Sequence, residues 1–271
     1  MSAADPAGST WTATSAHGTR VADRVGGLIA AHLTELDGVD AVAEAVGYSP
    51  FHLMRLFQRE TGAGLGATIT ARRFELAKDL LLAGATVTEA CHESGFNSLG
   101  TFSRRFRSEV GVSPSAFAGL RGPVEDWLAG PGAATTPAPP PGPTVQVIVE
   151  VAEGLGDDLD VYVGFYPGGV ASAAPVSGNR RRGSGAVLLG RPPDGTYRLL
   201  ASAVPATDAA AMLAPPRFLA GRAPAPVQFT RGAAHSPLHV PAGPAPLWVP
   251  PVVTALPVVA MRRDDAWGDG R

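Results

Sequence analysis

The chain has 271 residues, 33 of them glycine and 26 proline, a formal net charge of −2 and one cysteine. That length suits two domains, and a lone cysteine excludes an intrachain disulfide framework, so a soluble cytoplasmic protein is expected. The near-neutral charge excludes a global attraction to nucleic acid, and any DNA contact must come from arginines gathered on one face. The N-terminus lacks a basic-then-apolar signal pattern, and no apolar run reaches the ~18 residues of a membrane span. No membrane partner is expected.

Residues 1–20 are small and polar without any period, which predicts a disordered arm. From 21 to 122 apolar residues recur at helical spacing, as in Val25, Leu28, Ile29 and Leu33, or Phe102, Phe106 and Val110. This half is predicted to be all helix. Within it Gly47 can end one helix, Ser49 can cap the next and Pro50 suits its first turn. Leu53, Leu56 and Phe57 then face inward, leaving Phe51, Met54 and Arg55 toward a groove and Gln58 and Arg59 toward phosphates.

The layout repeats from Thr86. Thr86 and Glu89 form the two halves of a capping box, Gly95 permits a left-handed turn, and Ser98 can cap a second helix. With Phe102, Phe106 and Val110 buried, Gly100, Thr101, Ser103, Arg104 and Arg107 face outward. Arg55 and Arg104 are suited to bidentate contact with guanine, and Phe51 and Met54 to thymine methyls. The plain alternative for one such unit is a helical bundle with solvated arginines; two units favour paired helix-turn-helix readers.

The run Gly47-Tyr-Ser-Pro-Phe-His-Leu-Met-Arg-Leu-Phe-Gln-Arg-Glu-Thr-Gly62, with Arg73-Phe-Glu-Leu-Ala-Lys-Asp-Leu-Leu-Leu82, Gly95-Phe-Asn-Ser-Leu-Gly-Thr-Phe-Ser-Arg-Arg-Phe-Arg107 and Gly111-Val-Ser-Pro-Ser115, resembles the AraC/XylS family of bacterial transcription regulators. The resemblance implies two helix-turn-helix subdomains joined by a long helix, about Ala67 to Ala83, with both recognition helices entering successive major grooves. It assigns base contact to Phe51, Met54, Arg55, Gly100, Thr101, Ser103 and Arg104. Double-stranded DNA, RNA polymerase or another protein, and a small-molecule effector are the partners it implies. Gly64-Leu65 stands where the family usually starts a helix with Ser-Pro, and Ala90 and Ser94 replace larger apolar residues, which predicts a looser second core. Cys91 holds a small packing position, so a buried role is favoured over a nucleophile.

Residues 123–143 are read as a Pro/Gly-rich linker whose stretch 130–143 excludes helix and strand, so few fixed contacts between the halves are expected. From 144 to 263 the period becomes two, as in Val145, Val147, Val149 and Val151, or Val161, Val163 and Phe165. Further strands are predicted at Gly185–Leu189, Thr196–Val204, Val227–Thr230, Leu247–Thr254 and Val258–Arg262, with a turn at Asp208–Leu213 and a tail at 264–271. The fold class is therefore two-domain, α then β: a double helix-turn-helix bundle followed by a small antiparallel β-sandwich or barrel.

Tyr162, Phe165, Tyr166, Tyr197 and Trp248 are candidates to line a ligand pocket in this half, against a plain core role. Arg180, Arg181 and Arg182 are read as a loop, solvated or phosphate-binding. His235 and His239, interrupted by Pro237, make no zinc signature. No cofactor is implied and no catalytic constellation has support, so the β half is expected to sense a ligand, or else to be a constitutive protein-interaction module, and not to be an enzyme.

Overall fold

The computed structural model describes residues 16–134, 136–139, 141–155, 158–214, 219–231 and 237–263. The tail at 264–271, most of the expected arm and His235 lie outside the described residues. The helical half contains α1 (Ala16–His32), α2 (Gly38–Val46), α3 (Pro50–Thr61), α4 (Leu65–Leu82), α5 (Val87–Glu93), α6 (Leu99–Val110), α7 (Pro114–Ala118), α8 (Arg121–Ala129) and α9 (Pro131–Ala134). Two expectations are corrected at its ends. Helix α1 begins at Ala16, inside the stretch read as an arm, because Val21, Ala22, Val25 and Ile29 have a core to bury against. The stretch read as a linker carries α8 and α9, because Val124, Trp127 and Ala133 are buried.

The second half is built on β1 (Thr144–Val151), β2 (Leu159–Tyr166), β3 (Ser177–Arg182), β4 (Gly185–Gly190), β5 (Gly195–Pro205), α10 (Ala209–Leu213), β6 (Leu219–Arg222), β7 (Val227–Phe229), β8 (Leu238–Pro244) and α11 (Leu256–Arg263). The strands form one sheet in the order β3-β2-β5-β6-β8-β1-β4, with β7 attached to β5. The sheet curls into a nearly closed barrel around Val147, Val149, Val161, Phe165, Leu189, Phe229 and Val240. Its ends meet where Asn179 Nδ2 donates to Leu188 O at 2.9 Å and Arg181 Nη1 to Ala186 O at 2.7 Å, so side chains span the β3–β4 seam.

The sheet is not purely antiparallel as expected, since β1 pairs β8 in parallel, Val149 opposite Val240. Nor are the last two predicted strands strands. Val258–Arg262 falls within α11, and Leu247–Thr254 runs as an irregular strap that opens in a turn, Val249 N donating to Pro246 O at 2.9 Å, because prolines at 246, 250 and 251 remove ladder donors.

That strap joins the halves. Residues of α1 to α4 share one apolar cluster with Ala220, Trp248 and Val249, and residues of α4 to α9 share another with α10 and with Val253, Leu256 and Val258. A Cβ at Gly26 of α1 would stand 2.6 Å from Trp248 N, so the strap touches bare helix backbone there. Carbonyls of the strap cannot find partners in a sheet and take them from α4: Arg72 Nη2 donates to Leu247 O at 2.9 Å and to Val249 O at 3.0 Å, and Lys78 Nζ to Val252 O at 3.2 Å. The expected scarcity of fixed contacts between the halves is therefore corrected: their apolar surfaces are continuous.

Candidate nucleic-acid interface

Helices α2 and α3 are joined through Gly47, whose φ of 76° is the left-handed conformation that glycine adopts without strain. Ser49 Oγ accepts from His52 N and Pro50 opens α3. In the second unit Thr86 N donates to Glu89 Oε2 at 2.8 Å and Glu89 N to Thr86 Oγ1 at 3.2 Å, a complete capping box. Hydrogen bonds from the Thr86 backbone and hydroxyl hold the Glu89 carboxyl below its ordinary range. Gly95 turns at φ 82°, Phe96 N returns to Cys91 O at 3.0 Å, and Ser98 Oγ caps α6 by accepting from Thr101 N.

Each second helix has one buried face. On α3 this is Leu53, Leu56 and Phe57, and on α6 it is Phe102, Phe106 and Val110. Phe74 of α4 stacks on Phe96 with centroids 5.1 Å apart and meets Phe106 edge-on, while Phe117 of α7 meets Phe106 edge-on from another side. This aromatic packing fixes the outward face of α6. Ser94 is buried, as Ala90 is, and its hydroxyl donates to Ala90 O, so a polar group is accommodated in the second core by a local bond. Cys91 is fully buried, its Sγ 3.6 Å from Phe96 O, and burial pushes its thiol up, against nucleophilic use.

The residues singled out for DNA contact lie at the surface. Phe51 is 67% and Met54 41% exposed, large values for apolar side chains, and Arg55 lies over the Phe51 ring at 5.6 Å. Ser49, Ser98, Gly100, Thr101, Arg104 and Arg107 are exposed and Ser103 is half-buried. Arg104 Nε donates to Gly100 O at 3.3 Å along the exposed face. Arg59 and Gln58, though exposed, are engaged locally: Arg59 donates twice to Glu60 Oε1 at 2.8 and 2.9 Å, and Gln58 to Gly62 O at 3.2 Å. Arg105, between the outward arginines, turns to Glu109 at 3.0 Å and over Phe74.

Sequence reasoning missed the cations of α4. Arg73 Nη2 donates to Leu36 O at 2.8 Å while its guanidinium lies over Phe96, so one side chain links the loop before α2 to the turn before α6. Burial lowers the Arg73 pKa, and Asp37 opposes the shift. Lys78 is fully enclosed between α4 and the strap, and burial depresses its pKa to about 8 against the opposing charges of Glu75 and Asp79. Apolar neighbours at helical spacing on both sides of these residues gave no sign that a strap would cover them.

The five aromatic ligand candidates are not brought together. Phe165 and Tyr197 join Phe229 in the barrel, with centroids 5.1 to 6.5 Å apart. Trp248 lies under Arg222 in the first shared cluster. Only Tyr162 and Tyr166, on the opposite face of β2, line a common pocket, of about 260 Å³. Nor do Arg180–Arg182 form a loop. They belong to β3, where Arg180 donates to Ala133 O at 2.7 Å, lies over Trp127, and stands with Arg182 beside the buried Asp160, at 3.6 and 3.7 Å. Burial raises the Asp160 pKa and the two arginines pull it down. His239 pairs with Glu150 at 3.1 Å, and among the described residues no group of three or more His, Cys, Asp or Glu could hold a metal. Among the same residues no helix is long and apolar enough to cross a membrane.

Two helices held at left-handed glycine turns, each with a buried stripe and an arginine-bearing outer face, define a helix-turn-helix protein with a sheet half packed behind it. A helix-turn-helix domain family matches residues 42–119. Over 90 residues the chain is 34% identical to the HTH-type transcriptional activator AarP of Providencia stuartii, covering 33% of this chain and 67% of that protein. Over 87 residues it is 34% identical to the right origin-binding protein of Escherichia coli K12, covering 32% of this chain and 30% of that one. Among solved structures, the C-terminal domain of AraT, a response regulator from Geobacillus stearothermophilus, aligns at 29% identity over 37% of this chain and 85% of that one, with a TM-score of 0.34. The chain belongs to the AraC family of helix-turn-helix transcription regulators.

Proposed function

We propose that the protein is a sequence-specific transcription regulator in which α3 and α6 read two adjacent major grooves, with residues 144–263 as a regulatory half that senses a small molecule. The observation that carries the DNA reading is the exposure of Phe51, Met54 and Arg55 on α3 and of Gly100, Thr101 and Arg104 on α6, while the sheet half packs against α4 and the ends of the helices. Arg55 and Arg104 are the bidentate guanine readers, Phe51 and Met54 the thymine-methyl contacts, and Ser49, Ser98, Thr101, Ser103 and Arg107 complete the face toward bases and phosphates. Gln58 and Arg59 contribute to phosphates only on release of their local bonds. Gly100 has no side chain, so readout there leans on backbone approach and DNA shape.

In-vitro selection of the full-length protein against random duplex DNA at fixed salt tests this. Two conserved blocks about one helical turn apart are expected, and Arg104→Ala is expected to weaken binding to the selected site by about 1–3 kcal/mol and to relax base choice in one block. Enrichment of a single block, or an unchanged preference in Arg104→Ala, would refute the two-groove assignment.

A further inference from the structure

Between the outer face of β2, the segment 174–176 and α11 lies the pocket of about 260 Å³, walled by Tyr162, Tyr166, Pro175, Val176, Val259 and Ala260. Its lining is mostly apolar, and Gly164 and Gly178 make room for the Pro175 ring, which a Cβ at either position would strike at 2.7 Å. A dry cavity of roughly 150 Å³ accepts one benzene ring, so this one has room for about two rings. Tyr166 is 5% exposed and its phenol has no hydrogen-bond partner among the described residues. Burial raises its pKa, so at neutral pH the hydroxyl keeps its proton and can donate to an acceptor on a ligand.

Two of the pocket's walls are tied to one place. Ala173, just before the segment 174–176, donates its N–H to Glu109 O at 2.6 Å, and Ala255, just before α11, donates to Val110 O at 2.9 Å. Glu109 and Val110 are the last two residues of α6. The walls are also tied to each other, through Val253 N to Ala171 O at 2.9 Å and Thr254 Oγ1 to Ala173 O at 2.6 Å. Ala173 holds φ at 57°, a left-handed conformation unfavourable for a residue with a Cβ, and its N–H bond to Glu109 O and the Thr254 hydroxyl on its carbonyl hold it there.

We propose that this pocket is the effector site: it takes an uncharged two-ring molecule with one hydrogen-bond acceptor for Tyr166, and its filling moves the end of α6 through the junction at Glu109, Val110, Ala173 and Ala255, changing affinity for DNA. This rests on the DNA-reading role given to α6 above. An apolar body is selected because most of the lining is apolar, and charge is disfavoured because the polar groups in the lining are engaged, Asn179 Nδ2 with Pro137 O and Leu188 O and the Arg180 guanidinium with Ala133 O, Asp160 and Trp127.

Benzophenone and diphenylmethane, near-identical in shape but differing in one carbonyl, are the probes, titrated calorimetrically into the full-length protein. Benzophenone is expected to saturate one site and to bind about threefold to tenfold more tightly than diphenylmethane, the usual contribution of one neutral hydrogen bond. Tyr166→Phe should equalise the two probes, and Val259→Trp should abolish binding of both; if Val259→Trp does not fold, Ala174→Trp on the opposite wall replaces it. Benzophenone should also shift the Kd for the selected duplex by about fivefold or more in the wild type and leave it unchanged in the filled-pocket variant. Absence of saturable benzophenone binding, or binding indifferent to Val259→Trp, overturns the site. Binding in the pocket without a shift in DNA affinity overturns the coupling. A protein that binds benzophenone yet no duplex with or without it overturns the coupling together with the DNA-reading role, and leaves the pocket standing.

Discussion

Trp248→Ala tests whether the two halves form one cooperative body. Trp248 is 1% exposed, sits in a cluster with Val21, Val25 and Ile29 of α1 and Leu53 and Phe57 of α3, and is covered by Arg222 at 5.9 Å. Truncating a buried tryptophan costs about 3–5 kcal/mol in transfer and cavity terms, and the stacked guanidinium adds about 0.5–1 kcal/mol. The expected loss is therefore about 3.5–6 kcal/mol, a large share of the roughly 5–15 kcal/mol that holds a typical domain. Because the ring belongs to the sheet half and its neighbours to the helical half, that loss should appear in both. Urea unfolding followed at once by helical circular dichroism and by hydrogen exchange of the barrel strands should give coincident transitions, both moved to lower urea in the variant. A helical transition that stays put, or a total loss under about 1 kcal/mol, would refute the shared core.

Two further outcomes follow from the same interface. Lys78 has a folded pKa of about 8 against an ordinary value of 10.5, so the unfolded chain binds more protons between those values and stability should rise as pH climbs through that window; below pH 8 the full penalty, of order 3 kcal/mol, is present. Lys78→Met should flatten this rise and raise stability at pH 7, less about 1 kcal/mol for the lost bond to Val252 O, and an identical pH dependence in both proteins would refute the burial argument. The neighbouring glycines of α1 should behave oppositely: a Cβ at Gly26 strikes the Trp248 backbone at 2.6 Å, whereas one at Gly27 meets nothing within 4 Å. Thermal melts should place Gly27→Ala about 0.5–1 kcal/mol above wild type from helix propensity and Gly26→Ala below it by about 1–3 kcal/mol from overpacking against backbone; equal shifts would sink the strap contact.

The local grammar of the helical half was legible because its signals are local. Glycine at 47 and 95, caps at Ser49, Thr86 and Ser98, and apolar stripes at helical spacing act within a few residues of themselves, and each is found in the role its chemistry implies. The outward positions on α3 and α6 follow by subtraction once the stripes are assigned. The α-then-β order was likewise written in the change of period at residue 144.

What the tertiary structure decided is how these pieces meet. A short apolar run such as Val258–Met261 suits strand or helix equally, and it is helical because α11 lies between β2 and the core of the second unit and not at a sheet edge. Residues 123–143 read as a linker and 247–254 as a strand, yet Val124, Trp127, Trp248 and Val249 are buried outside any strand, because surface offered from far along the chain covers them. Parallel pairing of β1 with β8 and the side-chain closure between β3 and β4 depend on partners far apart in sequence or on a seam no period encodes. Sequence alone determined the paired helices α2–α3 and α5–α6, the caps of α3, α5 and α6 and the outward faces of α3 and α6, since those free energies are settled within a turn or two; only long-range burial decided that 123–134 and 256–263 carry helices, that the two halves share their cores and that Tyr162 and Tyr166, but not Phe165, Tyr197 or Trp248, face a common pocket.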